Sequence, residues 1–259
     1  MAVANQKGGC AKTTSTVNLA AALTQAGLAV LVLDLDPQGN ASSALSVPHT
    51  VGVPSLYDVV VDRRPLAETV VTCPDLPGLL AAPATIDLAG ADLELITAVN
   101  REQRLRDSLQ EYLATRDGDE RIDYVLIDCP PSLSLLTVNA FTAAGEVLIP
   151  VQCEYYALEG LSQLLGHIDL VRNHLNPQLQ ISSLLLTMYD SRTRLSSQVA
   201  DEVRTHFPDR VANTVIPRSV RISEAPSHGQ TVLTYDPANI GSRRYREAAY
   251  ELATRLTVD

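Results

Sequence analysis

Short apolar runs alternate with longer amphipathic stretches along almost the whole chain. Met1–Ala4, residues 28–36, Gly78–Ala84, Ile122–Asp128, Gly145–Val151, Gln180–Tyr189 and Val211–Ile216 are near-continuous apolar segments bounded by turn residues. Such runs predict strands buried on both faces of a sheet. Between them the spacing lengthens. Val17–Leu23, Ser55–Val60, Ile86–Ala98, Arg101–Thr115, Glu154–Asn173 and Ile240–Leu256 read as helices. In Arg101–Thr115 the apolar positions Leu105, Leu109, Tyr112 and Leu113 keep helical period, and the charges fall on the other side. The pattern predicts an α/β chain. At 259 residues it suits one domain, residues 1–259, with no repeat and no interdomain linker.

Several predicted strands end in chemistry. After the first comes Asn5-Gln6-Lys7-Gly8-Gly9-Cys10-Ala11-Lys12-Thr13-Thr14. Paired glycines between a strand and a helix let the backbone turn until successive N–H groups face one point, and the helix start adds its own unpaired donors. Lys12 supplies a compact cation and Thr13 a hydroxyl for a divalent metal, a combination suited to polyphosphate with Mg²⁺. The residues 28–36 run ends in Asp34 and Asp36 and leads into the turn-rich Pro37–Ser42. Asp34 reads equally as a supporting group or a plain cap. Ile122–Asp128 ends in Asp128, ahead of Cys129-Pro130-Pro131, which places a carboxylate for a metal's water shell.

The formal net charge of −10 argues against a chain that coats nucleic acid everywhere, though not against a local basic face. Lys7 and Lys12 are the only lysines; every other basic residue is arginine. An arginine bias does not explain why lysine persists only in this loop, where a tight cradle needs a short-range ammonium. Cys10, Cys73, Cys129 and Cys153 have neither metal-ligand spacing nor a disulfide framework. They fit reduced thiols in a cytoplasmic protein. No apolar run is long enough for a membrane span and no leader is evident.

Lys-Gly-Gly-x-x-Lys-Thr, with Lys7 in front, resembles the deviant Walker A loop of the ParA/MinD ATPases. Asp-x-Asp-Pro-Gln-Gly-Asn at residues 34–40 and the strand ending in Asp128 resemble the ParA/Soj partition ATPases, and the resemblance covers Ala2 to about Arg255. It implies a Rossmann-like P-loop NTPase fold, a mostly parallel sheet with helices on both faces. It implies an Mg²⁺-dependent ATPase binding nucleotide through Lys7, Gly8, Gly9, Cys10, Ala11, Lys12, Thr13 and Thr14. Thr13 and Asp128 serve the metal, Asp36 holds the attacking water, and Lys7 reaches the nucleotide of a second subunit. Adenine maps to Met188, Pro217 and Arg218. The family also implies an ATP-dependent homodimer on nonspecific double-stranded DNA and the nucleoid, through Arg192 and Arg221, with Arg218 and Arg243 as further candidates. A ParB/Spo0J-type centromere-binding protein stimulates hydrolysis. Most family members carry glycine where this chain has Ala11. Tyr155 and Tyr156 face either a partner or the core. Alternatives are a MinD-like membrane-cycling ATPase, which needs a basic-edged amphipathic C-terminal helix that Glu251–Asp259 does not supply; an ATP-dependent carboxylate-activating ligase; and an orphan cargo positioner.

Overall fold

The apolar runs become the strands of one sheet. In the computed structural model, which describes residues 1–155 and 160–255, they are β1 (Ala2–Val3), β2 (Val30–Asp34), β3 (Val71–Thr72), β4 (Leu79–Ala82), β5 (Tyr124–Asp128), β6 (Glu146–Gln152), β7 (Gln180–Tyr189) and β8 (Val211–Pro217). Their order is β3-β4-β2-β5-β1-β6-β7-β8. Every neighbouring pair is parallel except β3 with β4. The helices are α1 (Lys12–Gln25), α2 (Asn40–Ala44), α3 (Leu56–Val60), α4 (Leu88–Leu95), α5 (Arg104–Ala114), α6 (Leu135–Ala143), α7 (Leu161–His174), α8 (Arg194–His206), α9 (Val220–Glu224), α10 (Val232–Tyr235) and α11 (Ile240–Arg255).

Strand alternation sorts the core into two layers. Leu31, Leu33, Ile127, Val147 and Ile149 face one way, onto Leu88, Leu105, Phe141, Leu164 and Val203. Val30, Val32, Leu126 and Leu148 face the other, onto Val17, Leu19, Tyr245 and Leu252. Helices therefore cover both faces, as a parallel sheet requires. β1 lies between β5 and β6. The chain leaves β1 toward β2 on one side and β6 toward β7 on the other. A doubly wound sheet opens its ligand crevice at such a reversal, beyond the strand C-termini. The loop of residues 5–11, Asp34, Asp36 and Asp128 all stand at that edge.

Two local expectations change. The helix expected from Glu154 begins at Leu161, after Gly160 breaks the chain at φ 66°. Tyr155 stands 75% exposed and not in the core, while Tyr156 lies outside the described residues. The amphipathic α8 was not read from the sequence; its buried Val199, Ala200 and Val203 follow the exposed turn at Asp190–Thr193. Among the described residues no helix is long and apolar enough to cross a membrane. Leu256–Asp259, the end of the tail weighed for membrane binding, lie outside them.

Candidate nucleotide site

The loop after β1 is built to present N–H groups. Gly9 takes φ 72° and Ala11 φ 69°, both left-handed, and Ala11 caps α1 without any side-chain hydrogen bond. The first turn of α1 thus keeps its N–H groups for a ligand. Thr187 Oγ1 donates to Cys10 O at 3.1 Å and pins the loop to β7. Lys12 is 7% exposed, and its Nζ donates to Lys7 O at 3.2 Å. Ala11 thus occupies a left-handed position. An L-residue there costs about 1–2 kcal/mol, against about 0.5–1 kcal/mol of extra chain entropy for glycine. Ala11→Gly is expected to raise unfolding stability by about 0.5–1 kcal/mol, seen as a higher urea midpoint at unchanged slope. A lower midpoint would show that the loop is relaxed with alanine.

Three carboxylates meet the loop from neighbouring strands. Asp128 is fully buried; Thr13 Oγ1 donates to its Oδ2 at 2.7 Å and Thr16 Oγ1 to its Oδ1 at 3.0 Å. Asp34 is buried and accepts from Ser42 N at 2.8 Å, Ser42 Oγ at 2.7 Å and Asp36 N at 3.2 Å. It braces the loop that carries Asp36, and through Ser42 N it also caps one of the free N–H groups in the first turn of α2, so both of its expected roles are visible in the bonds it makes. The sequence offered no signal for Ser42 as the other half of that brace. Asp36 Oδ1 accepts from Gln38 N at 3.0 Å, and the residue lines the cavity.

Burial pushes the Asp128 carboxyl well above its ordinary value, and the charge of Asp34 adds to this. Burial likewise raises Asp34, against hydrogen bonds from Ser42 that lower it. A carboxyl raised in the folded chain contributes stability that is full below its unfolded value and is lost as pH rises through the folded value. The nucleotide-free protein in EDTA is therefore expected to lose stability from pH 5 to pH 8, and Asp128→Asn to lose about 2 kcal/mol less over that range. Melting curves across the range check this; parallel curves for both proteins would contradict it.

The same arrangement fits a divalent cation. Hard oxygens from Thr13 and Asp128 converge where buried negative charge is poorly compensated. No three His, Cys, Asp or Glu side chains among the described residues form a closed metal cage. An ion here would complete its shell from phosphate oxygens and water, as Mg²⁺ does.

The loop opens on a cavity of about 610 Å³ lined by Gly8, Gly9, Ala11, Lys12, Thr13, Thr14, Asp36, Asn40 and Met188, among others. A second cavity of about 430 Å³ shares Ala11, Thr14, Met188 and Ser227 with it and adds Ile216, Pro217, Arg218, Val220 and Tyr245. The two cavities therefore adjoin, meeting at Met188, which holds φ 52°. Val220 and Ser227, also on this wall, were not singled out from the sequence. Lys7 lines neither compartment. It lines a third cavity with Glu154, Tyr155, Asp190 and Arg218. A Cβ added at Gly8 meets nothing within 4 Å, so the single chain sets no steric demand for glycine there.

The four arginines proposed for nucleic acid do not form one bare patch. Arg192 grips Asp190 at 2.8 and 2.9 Å, and this pair holds the Asp190 carboxyl down at about 2. Arg218 meets Glu154 at 3.3 Å, and Arg243 meets Glu247 at 3.8 Å. Arg221 lies between Glu224 at 3.2 Å and Asp236 at 3.7 Å, over the Tyr235 ring. All four remain more than half exposed at the side chain. All four cysteines are free and buried.

A parallel sheet, a glycine-bearing loop opening α1, one buried lysine and strand-end carboxylates define a P-loop nucleoside-triphosphatase. The family model for an AAA domain matches residues 1–181. Sporulation initiation inhibitor protein Soj of Bacillus subtilis is 49% identical, with 98% of this chain and 97% of Soj aligned. Chromosome partitioning protein ParA of Caulobacter vibrioides is 50% identical, over 98% and 94%. Among solved structures, cobyrinic acid a,c-diamide synthase from Mycobacterium smegmatis with bound ADP and magnesium superposes with a TM-score of 0.84 at 37% identity, over 99% and 94%. The septum site-determining protein MinD from Pyrococcus horikoshii, complexed with Mg-ADP, shares the fold at TM-score 0.77 and 23% identity, over 99% and 96%. The chain belongs to the Soj/ParA family of chromosome-partitioning ATPases, within the ParA/MinD superfamily.

Proposed function

We propose that the whole chain, residues 1–259, works as one partition ATPase unit that binds ATP with Mg²⁺, pairs with a second copy, and holds nonspecific double-stranded DNA in that paired state. Lys12 and the N–H groups of the loop hold the β- and γ-phosphates. The adenine lies against Met188, Pro217 and Arg218, where apolar faces and a few polar edges suit a flat base. Thr13 and Asp128 hold Mg²⁺, which neutralises phosphate charge when bound. Asp36 orients the water that attacks the γ-phosphate in line.

The observation that supports this reading is the placement of the two lysines in different cavities. Lys12 lies inside the phosphate cavity and Lys7 outside it. A lysine excluded from its own cradle is placed to serve another, and the open space over Gly8 leaves room for a second loop to approach. A cation supplied across the interface acts most strongly once pairing has expelled water. Monomers then hydrolyse slowly, and loss of the γ-phosphate releases the pair.

Pairing doubles the arginines facing one duplex. Arg192, Arg218, Arg221 and Arg243 exchange their carboxylate partners for DNA phosphates, so the nucleoid becomes the site of the ATP-bound form. A ParB/Spo0J-type partner stimulates hydrolysis and ends the association. Gel-shift affinity is expected to rise with ATP and fall steeply with salt. Arg221→Glu is expected to weaken it about tenfold with dimerisation unchanged. Strong ATP-dependent sedimentation with liposomes and none with DNA would replace this reading by the membrane-cycling one.

A further inference from the structure

Helix α4 carries apolar residues on opposite sides. Leu88, Ala91 and Leu95 are buried in the core. Ile86, Leu93 and Ile96 are exposed, at 55%, 77% and 54%, and so are Ala89 and Gly90. Helical turns continue past both ends, since Ala89 N donates to Ile86 O and Ile96 N to Leu93 O. At about 100° per residue, Ile86, Ala89, Gly90, Leu93 and Ile96 form one outward strip. A solvated helix face carries charged residues. This strip has none, and an exposed apolar strip bounded by polar groups marks a contact surface.

Its flank is acidic. Tyr57 Oη donates to Glu94 Oε2 at 3.0 Å. Asp87 and Glu94 are both exposed and, seven residues apart, fall on one side of α4 next to the strip. The bond to Glu94, then burial, then the charges of Glu94, Asp62 and Asp87 push the Tyr57 hydroxyl up to about 12. The nearby cations are turned elsewhere: Arg63 Nη2 donates to Val99 O and Arg101 Nη1 to Ile96 O, where they complement the helix C-terminus.

Both ends of α4 are tied to the nucleotide site. Asp92 Oδ1 accepts from Leu136 N at 3.2 Å, at the start of α6 beyond the loop that follows Asp128. At the other end Thr85 Oγ1 donates to Asp87 at 3.1 Å. Next to it Ala84 N donates to Ser42 Oγ at 3.1 Å, and Ser42 Oγ to Asp34 at 2.7 Å. The strip's helix is thus bonded to α6 on one side and, through the neighbouring Ala84, to the Ser42–Asp34 pair on the other.

We infer that the outward strip of α4 is where the hydrolysis-stimulating partner docks, and that it receives an apolar segment of that partner carrying basic residues. The existence of such a partner rests on the partition reading; the surface and its chemistry come from α4. Charge complementarity with Asp62, Asp87 and Glu94 selects the basic segment.

The test is the ATPase rate, with Mg²⁺ and DNA present, titrated with the ParB-type protein of the same organism. Three proteins are compared: the unaltered chain, Leu93→Asp/Ile96→Asp, and Asp62→Lys/Glu94→Lys. Both variants are expected to need about tenfold or more partner for half-stimulation, with basal rate and ATP-dependent dimer unchanged. The lysine variant's defect should shrink at high salt. Stimulation equal to the unaltered chain's in both variants overturns the inference while leaving the partition reading standing. Loss of the ATP-dependent dimer in the aspartate variant also overturns it, by giving the strip to a second copy. No stimulation of the unaltered chain removes the partition reading and the inference with it.

Discussion

Replacing Lys12 by alanine is expected to remove measurable ATP binding. Lys12 is the only cation among the described residues lining the phosphate cavity. It shares that edge with Asp34, Asp36 and Asp128, so its loss leaves a triphosphate facing buried negative charge. A charge-assisted hydrogen bond contributes about 1.5–3 kcal/mol. Contacts to two phosphates then amount to roughly 3–6 kcal/mol, or about 10²–10⁴ in affinity. Titration calorimetry with ATP and Mg²⁺ reads this directly. A melting curve without nucleotide shows that the fold persists, since the Nζ makes one contact, to Lys7 O. Affinity within a few-fold of the unaltered chain's would remove Lys12 from the phosphates and undo the assignment of the loop.

Replacing Asp36 by alanine is expected to stop turnover and leave the ATP-bound pair intact. A positioned general base contributes about 10²–10⁴ in rate. Asp36 lines the phosphate cavity with one carboxylate oxygen held by Gln38 N. Alanine also removes that turn contact, so Asp36→Asn serves as the control that keeps an acceptor. Light scattering with ATP and Mg²⁺ should report a stable dimer for the alanine variant, and single-turnover assays a rate lower by at least about a hundredfold. A monomer under those conditions would separate pairing from the bound triphosphate. Turnover at the ordinary rate would place the water elsewhere.

The helix from Glu154 shows where reading the sequence stops. Hydropathy from Glu154 to Asn173 continues without a break, yet Gly160 turns left-handed and α7 starts only at Leu161. A glycine permits such a turn without requiring it. α8 was missed for a related reason: its surface face is strongly polar, and only packing on β7 identifies its few apolar residues as core. The strands within residues 78–84 and 122–128, and the centre of 180–189, were legible because burial on both faces favours an apolar run. β8, at the sheet edge, was legible from Val211, Val215 and Ile216 despite the exposed Asn213.

The strip on α4 passed unnoticed in the sequence because its inward and outward apolar residues look alike until the neighbours are known. The arginines mislead in the opposite way. Arg192, Arg218, Arg221 and Arg243 read as free cations, but each has a carboxylate partner. Two of those partners, Glu154 and Asp236, are distant in sequence from Arg218 and Arg221.

By itself the sequence determined the alternation of strands and helices, the glycine-bearing loop that opens α1, and the carboxylates at the ends of β2 and β5. These follow from local rules: side-chain period, the freedom of glycine, and the termination of a buried strand by a charge. The tertiary structure alone decided that Ala11 and Met188 sit in left-handed backbone, that Lys12 and Lys7 line different cavities, that Asp34 braces Ser42, and which side of α4 meets water. Those outcomes depend on contacts between segments far apart in the chain, where burial and unlike charges select one arrangement among several that local sequence leaves equally open.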